Sequence, residues 1–402
     1  MNKTIIDRLN GTKKEERLAA MREVASAITK GELTSETTEE VNNHVHTTYS
    51  FSPYSPTMAA YKAWEAGLKA VGIMDHDSIC GGGEMLNACK YIGIGSTAGF
   101  ELRTNFTGTK IEGRRINSPD SRNIGYVVIH GIPKGQFKKV QVFLEPLQEE
   151  RNVRNIAMVD RLNDIIKPAG MDAVDFMGDV YPLSQAADGG TITERHILYA
   201  FARKCCEEVG RGKELVSFLQ DKFDCTVGGR LQEYLSDGDN PHYLYDLLGL
   251  FKIAFLPRIF IQPNERECIS VGKVVDFGNS IGAIPAYAYL GDVTDSPTGD
   301  KKAQKFEDDY LLDVLDTVQD LGFKAVTYMP PRNTREQLMR IQQLCREYGL
   351  MEISGVDINS SRQTFNCPII LEPDFRHLAD ATCALIAHEK RAEADPELRL
   401  FH

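Results

Sequence analysis

Val41-Asn42-Asn43-His44-Val45-His46 ends an extended run in two imidazoles, and the next apolar run, Leu68 to Met74, leads into Asp75-His76-Asp77. These two stretches decide how the rest of the chain is read. Each is strand-like, and each finishes in residue types that bind metal. Alternation along a strand puts His44 and His46 on one face. Further candidates follow other short runs: Glu101 after Ala98-Gly99-Phe100, His130 after Val127-Val128-Ile129, and Asp357 after Ile353-Ser354-Gly355-Val356. Imidazoles and carboxylates at the C-terminal ends of successive strands are how a barrel enzyme assembles a metal site. His-x-His alone is a weak signal, and it is the conjunction that carries the reading.

Working outward, the chain alternates. A helix is expected over about 57–66, with Pro56 as its start signal. Gly81-Gly82-Gly83 opens another over about 84–92. Extended runs reach Glu101 and then cover Tyr126 to Ile129. Such alternation argues for an α/β fold with parallel strands. The rhythm breaks near Glu145, where a charged helical pattern begins and continues to about residue 262. It resumes with a helix over 264–279, a run from Gly282 to Tyr289, a helix over 303–321, a strand over 323–328, a helix over 334–348 and a strand over 350–356. The expected division is an N-terminal helical extension (1–40), a barrel domain (41–144 and 263–402) and a mainly helical insertion (145–262).

The bulk properties narrow the function classes. The chain has 402 residues, 42% hydrophobic and 26% charged, which is ordinary for a globular protein. No apolar run approaches the ~20 residues of a membrane helix, and the polar N-terminus lacks a signal core. Nine cysteines occur without a C-x-x-C pair, which reads as reduced thiols in a cytoplasmic protein. The net charge of −11 disfavours a long nucleic-acid partner. A small anion remains compatible, because a bound cation reverses the local field.

The stretch from His44 to Glu101 resembles the PHP family (polymerase and histidinol phosphatase domains). The resemblance rests on His44-Val45-His46-Thr47, Gly67-Leu68, Met74-Asp75-His76-Asp77-Ser78 and Gly99-Phe100-Glu101. Ile129-His130-Gly131 and Gly355-Val356-Asp357-Ile358-Asn359 match later motifs. Arg151 to Asn163 and Gly190-Thr191-Ile192-Thr193-Glu194-Arg195-His196-Ile197 resemble the inserted domain of small-nucleotide and oligoribonucleotide 5′-phosphoesterases in that family. The resemblance covers roughly residues 41–390. It implies a distorted (β/α)7 TIM-like barrel with up to three divalent metals. By position, a first metal would be held by His44, His46, Glu101 and Asp357. Glu101 would bridge to a second, shared with His130 and a histidine whose place Tyr289 takes. A third would need His76 and two further ligands, where Phe51 and Asn359 stand instead.

The expected cofactor is therefore a divalent metal (Zn, Mn or Fe) at one site, with a second conceivable. Asp75 reads as orienting a ligand rather than binding metal. Positive charge for phosphate oxygens is offered by Arg103, which shares the face of Glu101, and by Arg195 and His196 from the insertion. Arg114-Arg115, Arg122 and Lys134 lie near His130 in sequence. The function expected is phosphoester hydrolysis on a small phosphorylated molecule, for instance a nucleotide, by attack of metal-bound hydroxide on phosphorus. The competing reading is a descendant that has lost ligands and binds a small anion or a partner without catalysis. A third is hydrolysis at a carbon centre, with Tyr289 as an oxyanion donor.

Overall fold

A computed structural model describes residues 3–118, 121–292 and 305–401. Seven strands form one sheet in sequence order: β1 (Val41–Val45), β2 (Ala70–His76), β3 (Gly95–Asn105), β4 (Ile124–His130), β5 (Ile284–Tyr289), β6 (Ala325–Tyr328) and β7 (Met351–Ser354). Helices Pro56–Glu65, Gly82–Ile92, Leu311–Asp320 and Arg335–Tyr348 fill the crossovers between parallel neighbours. Ser55 caps the first of these, its hydroxyl accepting from the Met58 N–H, with Pro56 in the first turn.

The sheet is not parallel throughout. β4 runs antiparallel to both β3 and β5. Among the described residues the connection from β3 to β4 contains no helix, and antiparallel neighbours need no crossover. The sheet bends almost into a closed barrel. β1 meets the chain beyond β7 through a bridge between Val45 and Ile358. Side chains complete the seam: Asn42 Nδ2 donates to the Val356 carbonyl (3.0 Å) and Asn43 Nδ2 to that of Ser354 (2.9 Å).

Met74, Val128, Ile284, Ala286, Ala325 and Ile353 pack inside the barrel together with Leu385. Leu385 comes from the helix His377–Ala394, which sequence reading did not anticipate. That helix lies across one end of the barrel. Its Glu389 accepts from the Ala98 N–H (2.9 Å), and His388 Nε2 lies 2.9 Å from the Gly282 carbonyl oxygen. The opposite end carries His76, His46 and Asp357 and is the mouth.

The helices between Met158 and Ile259 form a layer with its own core, joined by Phe51. The helix Phe137–Ile166 runs across position 145 without a break, with Pro146 inside it. Near the N-terminus the helix Lys14–Thr29 packs on Gly82–Ile92. The helix expected from residue 264 starts only at Val271, because Asn264 uses its side chain to accept from the N–H groups of Arg266 and Glu267 in a turn. The helix expected over 303–321 begins at Leu311 after a 3-10 turn at Asp308–Tyr310, and residues 303 and 304 lie outside the described residues. No helix among the described residues is long and apolar enough to cross a membrane. All nine cysteines are free thiols.

Candidate metal centre at the barrel mouth

Five of the sequence candidates converge. Glu101 Oε1 lies 3.5 Å from His44 Nε2, 3.2 Å from His46 Nε2 and 3.1 Å from His76 Nδ1. His46 Nε2 is also 3.3 Å from Asp357 Oδ1. Two groups could hold a cation, His44 with His46 and Asp357, and His46 with His76 and Glu101, the donor atoms of each lying within 4.8 Å of one another. The chain approaches closely here: a Cβ on Gly355 would sit 2.5 Å from His44 Cβ, so only glycine lets the segment before Asp357 pass.

The donor set fits a divalent cation. A neutral imidazole carries one N–H, and three imidazole nitrogens crowd one carboxylate oxygen. The electrostatics agree. Burial disfavours charge on His46, but its hydrogen bonds to Asp357 and Glu101 win and raise its pKa to about 10. Burial pushes in the opposite sense to the imidazoles on both carboxyl groups, which are nevertheless held below the usual range, Asp357 by its bond to His46 and Glu101 by His76 and His44. Burial lowers His76 to about 3.

Asp75 does not point at this cluster. Its Oδ1 accepts from the Thr47 N–H (2.7 Å) and Ser50 Oγ (2.6 Å), its Oδ2 from Thr47 Oγ1 (2.6 Å). Ser50 Oγ in turn lies 3.3 Å from His46 Nδ1. With its own hydrogen on Asp75, the hydroxyl accepts from Nδ1–H, which leaves Nε2 free to act as a ligand.

Four further sequence candidates lie outside these two groups. His130 is in neither group. On the antiparallel β4, where Val128 pairs with Glu101, His130 sits deeper in the barrel than Glu101, near enough for the charges of His44 and Glu101 to act on it, and Gly131 packs beside His388 and Leu385 of the closing helix. His130 Nε2 is buried without a partner, and burial holds the ring's pKa near 3. The strand end that reaches the mouth carries Tyr126, whose ring lies 5.9 Å from that of His76. Burial raises the Tyr126 phenol to about 12, so it keeps its proton. Tyr289 does not face the barrel interior. Ile284, Ala286 and Ala288 pack inward, and Tyr289 on the other face donates to Asp308 Oδ1 (2.6 Å). Ala288 thus takes the position assigned to Tyr289, and the oxyanion role for Tyr289 falls with it.

Arg103 does share a face with Glu101, but its Nη2 is bound to Glu194 and Glu267, both at 3.0 Å. Its charge is matched before any ligand arrives. His196 completes a capping box at the start of the helix Glu194–Glu208, its Nδ1 accepting from the Thr193 N–H (3.0 Å), and its ring meets Phe51 edge-on. Burial pushes His196 to about 3 and keeps it uncharged. Phe51 has joined the core of the helical layer, and Asn359 donates to Asp357 Oδ1.

Arg195 behaves differently. Its Nη1 is buried with no hydrogen-bond partner, and its positive charge is felt by His76 and Asp357. Arg103 Nε is likewise buried without a partner, but Arg103 Nη2 is committed to Glu194 and Glu267, whereas the charge of Arg195 acts on His76 and Asp357 of the cluster.

No family model matches the chain. A 74-residue stretch, 18% of the chain, is 35% identical to a 5′-3′ exoribonuclease of Haemophilus influenzae, and it spans 27% of that relative's length. Two solved structures align with 85% of this chain and 96% of their own. One is a protein of Bifidobacterium adolescentis provisionally described as a metal-dependent phosphoesterase (16% identity, TM-score 0.53). The other is an amidohydrolase of Chromobacterium violaceum with bound sulfate and no metal (16% identity, TM-score 0.51). The likeness is one of fold. It agrees with an α/β barrel carrying helical additions.

Proposed function

We propose that the protein is a metal-dependent hydrolase of the PHP type that cleaves a phosphoester on a small molecule such as a nucleotide. The observation that carries this is the convergence of His44, His46, His76, Glu101 and Asp357 on shared lone pairs at the mouth. His44, His46, Glu101 and Asp357 would hold a zinc, manganese or iron ion, with His76 at its edge. Such an ion supplies Lewis-acid polarisation of a phosphoryl oxygen and lowers the pKa of a coordinated water to roughly 7.

The chain's own residues do the rest. Arg195 presents an unused N–H to a phosphoryl oxygen and matches its charge. Tyr126, protonated and partly exposed beside His76, is placed to hydrogen-bond a leaving oxygen. Asp75 and Ser50 fix the His46 ring. Two of the similar proteins, an exoribonuclease and a phosphoesterase, are named for chemistry at phosphorus and one, an amidohydrolase, for chemistry at carbon.

The test is metal analysis of the purified protein, then assay against phosphomonoesters and short oligonucleotides with zinc, manganese or iron. Bound metal and turnover are expected, and both should be lost in Glu101→Gln. A metal-loaded protein inert across that panel sinks the proposal. The second reading, an anion-binding protein without turnover, is favoured by Ala288 and by the commitment of Asn359 to Asp357. It predicts phosphate binding with no hydrolysis.

A further inference from the structure

Beside the metal candidates lies a second buried cluster made of three arginines and three carboxylates. Glu267 Oε1 accepts from Arg103 Nη2 (3.0 Å), Arg151 Nε (3.2 Å) and Arg154 Nη2 (2.8 Å), and its Oε2 from Arg154 Nε (2.6 Å). Glu194 Oε1 accepts from Arg103 Nη2 (3.0 Å) and Arg154 Nη2 (2.7 Å). Arg151 Nη1 pairs with Asp77 Oδ2 (2.8 Å). Formal charges balance at three against three.

The members come from separate parts of the chain, and three of them flank site residues. Asp77 follows His76, Arg103 lies two residues beyond Glu101 on β3, and Glu194 precedes Arg195. Asp77 holds a left-handed backbone (φ 45°) and donates its N–H to the Glu101 carbonyl (2.8 Å). A non-glycine residue there is costly unless its surroundings impose it. Glu267 is the one carboxylate that touches all three arginines, so it ties the helical layer, which carries Arg195, to the strands that carry His76 and Glu101.

We infer that Glu267 is a positioning residue: through Arg103, Arg154 and Glu194 it sets the start of the helix Glu194–Glu208 and so aims Arg195 at an anion in the mouth. The inference rests on the proposed role of Arg195 toward phosphate. A planar guanidinium reads anion geometry only when held in register, and small displacements of a supporting shell are felt strongly.

The test is a double-mutant cycle on the full-length, zinc-loaded protein, with the dissociation constant for inorganic phosphate read by titration calorimetry. Arg195→Ala and Glu267→Gln are each expected to weaken phosphate binding by about 10-fold, the scale of losses from supporting residues around a site. The double variant should be no weaker than the weaker single, because both changes remove one interaction. Zinc stoichiometry should stay at the wild-type value. Glu84→Gln, at a buried ion pair away from the mouth, controls for general loosening and should leave phosphate affinity unchanged. If Glu267→Gln does not fold, Glu194→Gln takes its place in the cycle.

Additive losses, or wild-type affinity in Glu267→Gln beside a weakened Arg195→Ala, overturn the positioning role and leave the reading of Arg195 intact. Unchanged affinity in Arg195→Ala overturns both.

Discussion

Glu84 and Glu101 are both buried carboxylates, 0% and 6% exposed, and their surroundings treat them differently. Glu84 is fully served. Arg17 grips it with Nε (2.8 Å) and Nη2 (2.6 Å), and Thr57 adds a hydroxyl (2.6 Å) and an N–H (3.2 Å). Glu101 is faced by three imidazoles on one oxygen, and a single charge must be found from outside or taken as a proton by His46. A buried carboxylate that supports the fold is closed on its own partners. One that waits for a ligand is left in company that only a cation can reconcile.

The sharpest break of this comparison is at Glu84. Glu84→Ala leaves Arg17 buried and uncompensated, which should cost about 3–5 kcal/mol in urea unfolding. Zinc stoichiometry should not change. Glu101→Ala in the metal-free protein should cost less, because it relieves crowding as well as removing charge. Equal losses at the two positions would dissolve the distinction.

Glu307 offers a third way to keep a carboxylate buried. It is 0% exposed and accepts from Tyr287 Oη (2.6 Å) and the N–H groups of Leu290 (2.8 Å) and Gly291 (2.6 Å). Burial outweighs these bonds and raises its pKa from 4.5 to about 7. The folded state then holds the proton more tightly than the unfolded chain. Its contribution to stability is fully present below pH ~4.5 and is lost as pH rises through ~7, by up to about 3 kcal/mol. Urea unfolding of the wild type and of Glu307→Gln across pH 4.5–8 should diverge over that interval. Parallel curves would show that Glu307 ionises like an exposed acid.

The smallest expected effect concerns the support of His46. Ser50→Ala removes the acceptor that fixes Nδ1, and zinc affinity should fall by about 10-fold. Competition with a chromophoric chelator measures it, and an unchanged constant would mean that the chelate geometry alone orients the ring.

Legibility in the sequence followed the range of the forces involved. His44 and His46 were readable because strand alternation is local and both faces of β1 have different fates. His76, Glu101 and Asp357 were readable by the same argument at the ends of runs. β4 was misread because direction is not encoded in a run such as Tyr126-Val127-Val128-Ile129, which looks the same in parallel and antiparallel company. That reading missed that His130 sits deeper in the barrel than Glu101, and it hid Tyr126 beside His76. Ile284-Pro285-Ala286-Tyr287-Ala288-Tyr289 is apolar on both faces, so its register was open by one residue. The clue was the absence of a helical pattern between Asn105 and Ile124. Arg103 was placed on the correct face, but its partners Glu194 and Glu267 lie 91 and 164 residues away. Arg151 and Arg154 were visible as part of a charged helix and of the stretch resembling an inserted domain, but without their partners.

The seam that closes the barrel joins Asn42 to the Val356 carbonyl, positions 314 residues apart. On a ribosome adding ~5–20 residues per second, β1 would wait about 15–60 s for the segment that seals its free edge. During that time the strand that bears His44 and ends just before His46 is open to pairing with another chain. Overexpression should therefore penalise this protein through nascent-chain aggregation more than its finished stability suggests, and slower synthesis at low temperature should lessen the loss.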